Sequence, residues 1–401
     1  MHHLEKYLKL LDKQYKEMTR LLIKWADINS GSENILGLEE MLHNIKDDFE
    51  SLGGQMTTIE LPHHEQIDND AKSTFSPLGK VLSIRKRSDA RRKVFLCIHY
   101  DTVYPADDPF QQCTRIDMNK LRGPGVTDAK GGLVVMLKAL ECVEATPWAK
   151  NIGWEVFINP DEEIGSPGSG PLLAEAAKRN DLGLVFEPSL PNGNLVGARR
   201  GSGNFTVVIR GKAAHAGRSP ELGRNAVNAL ADFIVKLNAM HVDEPGITVN
   251  VANVKGGGPL NVVPDLALCR FNVRVTSFED QQTVQNNIQE LITQISTTDG
   301  ISLNLSGGFS RPPKQLDSKT IGLYELVRQC GKDLGISVDW ILSGGSSDSN
   351  ILAAAGLPTV DSLGVTGGDI HSSDEYVLLH SLPERAKLTA LFLMKLATEN
   401  I

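Results

Sequence analysis

This sequence has few cysteines, no long apolar run and no excess of positive charge, and each of these features excludes a class of protein. Only five cysteines occur in 401 residues, an odd number, and none belongs to a CxxC pair. Two of them, Cys97 and Cys269, lie inside apolar strand patterns. We therefore expect buried thiols and no disulfide framework.

The chain also lacks a segment that would direct it to a membrane. No apolar run approaches the length of a membrane span. Residues 1–25 alternate charged residues with leucine at helical spacing, without the apolar core of a secretory signal. The net charge of -8 argues against a nucleic-acid-binding surface. These features predict a cytoplasmic protein that has neither a membrane nor a nucleic acid as its partner.

The length of 401 residues exceeds one ordinary hydrophobic core and indicates two domains. Helical and strand patterns alternate from residue 4 to residue 200 and again from residue 317 onward. This alternation is typical of an α/β domain with a mostly parallel sheet covered by helices. Residues 201–309 instead show the order strand, helix, strand, strand, helix, strand, which is the ferredoxin-like motif.

The simplest account is an α/β catalytic domain that is interrupted by a smaller domain. We assign residues 1–200 and 313–401 to the catalytic domain and residues 201–312 to the inserted α+β domain. The two connections, near residues 200 and 312, would then form a hinge. Within the insertion, Ser277 followed by Asp280 resembles a helix N-cap signature.

Acids and histidines stand where several hydrophobic segments end. They are His99, Asp101, Asp128, Glu162, Glu163, Glu187 and His371. In an open α/β sheet, ligands bind outside the carboxyl ends of the strands, so these distant residues can meet in space. Two histidines with several carboxylates suit zinc or a similar divalent ion, and the set is large enough for two ions. The pattern points to a metal-dependent hydrolase.

Taken singly, most of these residues have a plainer interpretation. His99 and Asp101 leave the same face of an extended chain, yet a histidine at a strand end is more often structural. Asp128 would ordinarily cap the helix that follows it. The glycines around Asp128 favour a crowded site instead, because they let the backbone approach closely. The segment GPGVTD lacks the spacing of either common phosphate-binding fingerprint.

Three adjacent acids, Asp161, Glu162 and Glu163, follow a buried strand pattern. Their charges repel one another there unless a cation neutralises them, although a solvated acidic turn is the plainer alternative. Neighbouring side chains point in different directions, so one glutamate can bind a metal while the other faces its water as general base. Glu187 could be an ordinary loop acid. The glycine-rich loop before His371 favours His371 as a metal ligand.

Together, these segments resemble the M20 family of dinuclear zinc peptidases. The matching segments follow the family's order between about residues 94 and 380: HYDTV, GPGVTDAKGG, NPDEEIGS, FEP, GKAAHAGRSPELGRNA, GGGPLNVVPDLALCRFNVRV, GGSSDSN and GGDIHSSDEY. One segment alone would be weak evidence, but the ordered set is very specific. Within the family, the segments GPGVTDAKGG, DEEIGS, FEPS and GGFSRPP are most similar to the glutamate carboxypeptidase branch.

The resemblance implies a site for two divalent ions, with Zn²⁺ as the first choice and Co²⁺ or Mn²⁺ as alternatives. Transferred position by position, it makes Asp128 the bridging ligand. His99 and Glu187 would hold one ion, and Glu163 and His371 would hold the other.

Three further residues receive catalytic roles from the same resemblance. Glu162 would be the general base, taking a proton from a hydroxide-forming water that bridges the metals. Asp101 would orient His99. His215 would polarise the substrate carbonyl, often across a homodimer built by the inserted domain. From the residues alone, His215 could be a surface histidine in a glycine-containing turn.

Substrate recognition is also implied by the resemblance. Arg311 falls where an arginine receives the free α-carboxylate of the substrate, which suits a guanidinium. Asn261, Arg274 and Gly344 fall on other substrate-contact positions. Arg274 could instead form an ion pair on the face of its strand.

We therefore predict a metal-dependent amidohydrolase that releases a C-terminal, glutamate-like amino acid from N-acyl or peptide substrates. An N-acyl-amino-acid deacylase or desuccinylase with the same metal ligands and a different pocket is the main alternative. A noncatalytic metal-binding protein that uses the inserted domain as a partner surface is a third interpretation. The complete ligand set and the presence of Glu162 argue against it.

Overall fold

The computed structural model describes residues 2–242 and 246–398. Its helices are α1 (His2–Lys13), α2 (Tyr15–Ala26), α3 (Ile35–Phe49), α4 (Lys130–Glu144), α5 (Gly170–Ala177), α6 (Ala226–Asn238), α7 (Phe278–Ser296), α8 (Ser318–Leu334), α9 (Asp348–Ala354) and α10 (Ser381–Thr398). Short 3-10 helices span Glu50–Leu52, Ala149–Asn151 and Pro220–Leu222.

The strands follow the same chain order. They are β1 (Gln55–Ile59), β2 (His64–Ile67), β3 (Ser73–Ser76), β4 (Val81–Lys86), β5 (Lys93–His99), β6 (Thr114–Arg115), β7 (Lys120–Arg122), β8 (Gly153–Asn159), β9 (Leu182–Val185), β10 (Leu195–Arg199), β11 (Gly201–Arg210), β12 (Thr248–Gly256), β13 (Leu266–Val275), β14 (Ser302–Arg311), β15 (Trp340–Ser343), β16 (Thr359–Val360), β17 (Gly367–Gly368) and β18 (Tyr376–Leu378).

The central sheet has the strand order β1-β4-β8-β5-β9-β16. Strands β8, β5, β9 and β16 are parallel to one another. Strands β1 and β4 extend the sheet at one edge through antiparallel pairing. The predicted α/β class with a mostly parallel sheet is confirmed.

Strand β5 shows why the central strands are mostly apolar. Val94, Leu96 and Ile98 face a core that includes α1 to α4, α8 and α10. Phe95 and Cys97 face a second core, on the side of α5 and α9. Because helices cover both faces of the sheet, alternate residues are buried on opposite sides and no polar position is left. Polar side chains therefore collect where the strand ends.

The ferredoxin-like insertion forms a second sheet with the order β12-β13-β11-β14, and every neighbouring pair is antiparallel. Its own core packs α6 and α7 against one face of the sheet, with Phe205, Phe233 and Phe271 at its centre. Ser277 and Asp280 form the predicted capping box at the start of α7. The predicted strand and helix order of this segment is confirmed.

The two connections to the insertion run side by side. The backbone N–H of Arg199 donates to the carbonyl of Lys314, and the N–H of Lys314 donates back, both at 3.0 Å. Gly201 begins β11 and Arg311 ends β14, close to the expected boundaries. The division into two domains and the hinge between them stay predictions, which the separate hydrophobic cores support.

The cysteines behave as expected for structural thiols. None of the five forms a disulfide among the described residues, and Cys97 and Cys269 are buried. Within residues 2–242 and 246–398, no helix combines the length and the apolar composition that a membrane span needs.

Candidate metal centre

Three adjacent parallel strands present acidic and histidine side chains at one edge of the central sheet. His99 is the last residue of β5, which lies between β8 and β9 in the sheet. Glu162 and Glu163 follow β8, and Glu187 follows β9. Since the carboxyl ends of parallel strands share an edge, residues from three separate segments converge there.

A small antiparallel sheet brings in the remaining residues. Strand β18 pairs with β7, so the loop before β18 lies beside the loop that follows β7. The first loop carries His371 and the second carries Asp128. The N-cap of α4 is Ala129, without a side-chain cap. The plainer interpretation of Asp128 as a helix cap is therefore wrong.

The carboxylate of Asp128 lies between the two histidines. Its Oδ1 atom is 3.1 Å from Nε2 of His99, and its Oδ2 atom is 3.2 Å from Nε2 of His371. Each histidine also faces a glutamate, since Glu187 Oε1 is 3.8 Å from His99 Nε2 and Glu163 Oε2 is 3.4 Å from His371 Nε2. The five residues thus form two groups, which share Asp128.

The histidines and Asp128 stabilise each other's charged forms. Burial opposes the charge of His99, but its contacts with Asp101 and Asp128 raise its pKa well above the ordinary value. Hydrogen bonds to Asp128 and Glu163 raise the pKa of His371 to about 10. Burial opposes ionisation of Asp128 as well, yet both histidines hold the pKa of this carboxyl below its usual range.

The glutamates of the cluster show the opposite behaviour. Burial, together with the charge of Asp128, raises the pKa of Glu163 to about 8. Burial also raises the pKa of Glu187 well above its ordinary value. These shifts mean that negative charge at the cluster is poorly solvated and repelled by its neighbours. A divalent cation among the carboxylates would offset both effects.

A second observation also indicates that these residues can hold a metal ion. Ligand atoms of His99, Asp128 and Glu163 all lie within 4.8 Å of one another. The Oε1 atom of Glu163 is buried and has no hydrogen-bond partner in the described part of the chain. A buried acceptor without a donor is unfavourable unless a cation lies against it. Nitrogen and carboxylate oxygen together are the donors that zinc accepts.

Asp101 lies behind this cluster and is fully buried. Nδ1 of His99 lies 3.0 Å from the backbone carbonyl of Asp101 and 3.3 Å from its carboxylate, so Nε2 of that ring is directed toward Asp128. The same carboxylate accepts the backbone N–H groups of Glu162 and Glu163, each at 3.2 Å. It also accepts the Ser32 hydroxyl at 2.7 Å. Asp101 therefore fixes both one histidine and the acidic loop.

The three adjacent acids have three different environments. Asp161 accepts hydrogen bonds from the backbone of Gly168 and Ser169, so it holds its own loop in place. Glu163 faces the histidine cluster. Glu162 turns the other way, and its Oε1 atom lies 2.8 Å from the Arg311 guanidinium. Burial raises the pKa of Glu162, against the opposing influence of Arg311.

Two residues near the cluster, Ser32 and Glu375, were not predicted from the sequence. The buried Glu375 carboxylate accepts the backbone N–H groups of Gly125, Thr127 and Asp128 at 2.8 to 3.1 Å. It also accepts the Tyr104 hydroxyl at 2.7 Å. Glu375 thus fixes the loop that presents Asp128. The segment HSSDEYV, which marks His371, contained this residue without distinguishing it.

The remaining expected site residues lie around the inserted sheet. The backbone carbonyl of Asn261 accepts the N–H of Ala216. This bond places Asn261 beside His215, and both residues are exposed. Nδ1 of His215 accepts the backbone N–H groups of Gly217 and Arg218, both at 3.1 Å. The neutral ring then carries its proton on Nε2, which can donate to a ligand. In the described residues, no hydrogen bond or ion pair joins His215 to the metal cluster.

Arg274, in β13 of the inserted sheet, contacts Gly344, which follows β15. The Arg274 guanidinium donates to the carbonyl of Gly344 at 2.8 Å. Burial and the neighbouring charge of Arg200 both lower the pKa of Arg274. Two guanidinium groups near each other form a positive region that suits an anionic group. The roles of these residues, and of the metal ligands, stay predictions.

A cavity of about 500 Å³ opens beside Glu163, on the side of Tyr104. Its apolar lining comes from Val103, Tyr104, Pro105 and Ile164, and the described lining contains no lysine or arginine. His371 is half exposed, so the metal cluster is accessible from solvent. The arrangement can bind divalent ions between carboxylates and histidines, next to a separate carboxylate and an apolar cavity.

Comparison with known proteins agrees with this arrangement. The profile of peptidase family M20/M25/M40 matches residues 95–395. Carboxypeptidase G2 of Pseudomonas sp. strain RS-16 is 28% identical over 389 residues, covering 94% of this chain and 88% of that protein. Succinyl-diaminopimelate desuccinylase of Nitrosococcus oceani is 27% identical over 343 residues, covering 80% of this chain and 88% of that protein.

A solved structure shares the fold along nearly the whole chain. The M20 metallo-carboxypeptidase Sso-CP2 of Sulfolobus solfataricus superposes with a TM-score of 0.71 at 17% sequence identity. The superposition covers 96% of this chain and 100% of that one. The profile match spans well over half of the chain. The chain therefore belongs to peptidase family M20/M25/M40.

Proposed function

We propose that this M20 peptidase is a dinuclear-metal carboxypeptidase that releases a glutamate-like amino acid from an N-acyl or peptide amide. The observation that carries the proposal is the position of Asp128, whose two carboxylate oxygens each face a different histidine. In this assignment, Asp128 would contribute to the sites of both ions. His99 and Glu187 would hold one ion, and Glu163 and His371 would hold the other.

The bound ions would supply Lewis acidity, which makes a water nucleophilic and polarises the amide carbonyl. Glu162 accepts the proton of that water and returns it to the leaving amine. Its carboxylate is separate from the histidine cluster, which leaves it free of a ligand role. His215 donates from Nε2 to the developing oxyanion. Asp101 keeps His99 oriented throughout.

The two sides of the site differ in charge, and this difference supports the proposed orientation of the substrate. Arg274, beside Gly344 and near Arg200, lies on the side that would receive the anionic C-terminal residue. The cavity lined by Val103 and Ile164 also contains the carboxylates of Glu33 and Glu163 and no cation in its described lining, so an acyl group without negative charge suits it better. The relative named as a carboxypeptidase aligns over 94% of this chain.

A deacylase or desuccinylase is the second candidate, and the desuccinylase relatives favour it. It would use the same metal ligands and the same base. Only the groups on either side of the scissile amide would differ. Substrate assays therefore distinguish the two candidate functions, whereas measurements of metal content do not.

The first prediction is the substrate preference of the metal-loaded protein. We expect the highest kcat/KM with a folyl- or benzoyl-glutamate, because an apolar acyl group and an acidic C-terminal residue match the two sides of the site. Chromatographic assays would compare these compounds with dipeptides, acetyl-amino acids and succinyl-amino acids. A clear preference for a succinyl-amino acid would replace the carboxypeptidase assignment by the second candidate.

The second prediction concerns Asp128→Ala. Because Asp128 faces both histidines, its loss should remove at least one of the two ions, as measured by elemental analysis after dialysis. Asp374→Ala is a matched control, since Asp374 is an exposed acid in the loop that carries His371. An Asp128→Ala protein with two ions and full activity would contradict the bridging role.

The third prediction concerns Glu162→Gln. This change keeps the size of the side chain and removes the proton acceptor, so turnover should fall roughly 10²- to 10⁴-fold. Metal content and thermal unfolding should stay close to those of the unaltered protein. As a control, Glu175→Gln alters an exposed glutamate that pairs with Lys178. Normal turnover in fully metal-loaded Glu162→Gln would exclude Glu162 as the base.

The fourth prediction concerns His215 and the oligomeric state. The inserted domain should form a homodimer and bring His215 to an active site by domain closure, in the neighbouring subunit. His215→Ala should therefore lower turnover without changing metal content or dimerisation. Mixed dimers of His215→Ala with Glu162→Gln subunits should regain activity, because one of the two sites then has both groups. Mixed dimers that form and stay inactive would exclude delivery between subunits.

A further inference from the structure

Arg311 occupies an unusual place, at the end of an inserted strand and inside the catalytic unit. It is the last residue of β14 and is 3% exposed. Its Nη2 atom lies 2.8 Å from Oε1 of Glu162 and 3.0 Å from Oδ1 of Asp348. One guanidinium therefore already balances two carboxylates.

In its other contacts, Arg311 donates hydrogen bonds from both terminal nitrogens. Nη1 donates to the carbonyl of Gly165 at 3.0 Å. Nη2 also donates to the Ser166 hydroxyl at 2.9 Å and approaches the carbonyl of Glu162 at 3.3 Å. Bidentate recognition of a carboxylate needs two parallel N–H groups that are free to donate. A third carboxylate would also meet the charges of Glu162 and Asp348.

Hydrogen bonds hold both the backbone and the carboxylate of Glu162. Its backbone N–H donates to the buried Asp101 carboxylate at 3.2 Å. Its carboxylate bonds to Arg311, and no second side-chain partner of that carboxylate occurs among the described residues. Asp348 is anchored independently, by the Ser166 hydroxyl at 2.6 Å and the Asn159 amide at 2.7 Å. Arg311 therefore links Glu162 to a fixed anchor.

We propose that Arg311 is a positioning residue that fixes the Glu162 carboxylate for proton transfer, and that the substrate's α-carboxylate is received elsewhere. The inference rests on the proposed function, in which Glu162 is the base. It replaces the role that the family resemblance gives to Arg311. Arg274, half-buried and bonded to a single carbonyl, is better placed to receive the α-carboxylate.

This assignment also couples the two units of the chain. Arg311 belongs to the inserted sheet through the pairing of β14 with β11. Glu162 belongs to the loop after β8 of the central sheet. A shift of the inserted sheet that moves Arg311 would release the Glu162 side chain. The base is then correctly oriented only when the inserted sheet is in place.

The test measures kcat and KM for a pair of substrates, N-benzoyl-glutamate and its α-carboxamide. Arg311→Met is made in an Asp348→Asn background, so that residue 348 is not left as an unpaired buried carboxylate, and is compared with Asp348→Asn alone. We expect kcat to fall about 100-fold for both substrates, because a misplaced catalytic group costs about that factor. The ratio of kcat/KM for acid over amide should not change.

Arg274→Met serves as the matched arginine variant. It should lower the acid-to-amide ratio, chiefly through a higher KM for the acid, because it removes a guanidinium from the substrate side. Arg311→Lys should regain part of the lost kcat, since an ammonium can still bond Glu162. A ratio that collapses in the Arg311→Met variant would identify Arg311 as the α-carboxylate receptor and overturn the proposal. An unchanged kcat would overturn it as well.

A crystal structure of the Arg311→Met, Asp348→Asn protein gives an answer that does not depend on turnover. We expect the Glu162 carboxylate to leave its place while the metal ligands keep theirs. A Glu162 side chain that stays in the same position would contradict positioning by Arg311. If the unaltered protein hydrolyses neither substrate, the proposed function fails, and this structural comparison still decides the role of Arg311.

Discussion

Repulsion among buried carboxylates is the constraint on which the rest of the site depends. The carboxylates of Asp128, Glu163 and Glu187 lie close together and are largely buried, and such a group separates unless something opposes it. The opposition comes from two histidines, from backbone N–H groups that hold the loops and, in the proposed function, from divalent ions that the donor set would bind. The apolar sheet below supplies rigidity, because strands buried on both faces cannot shift to relieve the repulsion.

Adjacent residues acquire different chemistry here through their partners alone. Glu162 and Glu163 are chemically identical, and both backbone N–H groups donate to Asp101. One side chain then meets a guanidinium, and the other meets an imidazole and a carboxylate. The first can exchange a proton while staying in place, and the second is suited to hold a cation. A reversed orientation of this short loop would exchange the two roles.

Strand ends were the most informative positions in the sequence, and the reason is physical. A strand buried on both faces is apolar until it leaves the sheet, so the first polar residues mark its end, as at His99 and Glu187. The same reasoning could not find Ser32 or Glu375. Their partners lie 69 and 248 residues away, and a single serine or glutamate carries no local pattern. The contacts of Arg311 could not be predicted either, because they depend on how the inserted sheet packs against the loop after β8.

The hydrogen bonds of Glu375 have a consequence for the order in which the protein can be assembled on the ribosome. The loop before α4 emerges early, but the acceptor of its three backbone N–H groups lies beyond β17, near the end of the chain. His371 emerges at about the same time. A nascent chain therefore has neither the second imidazole nor the brace that shapes the Asp128 loop, although the central strands can already form. The proposed metal pocket is completed only after Glu375 has been synthesised, so a shorter nascent chain is a poor ligand for cellular metal.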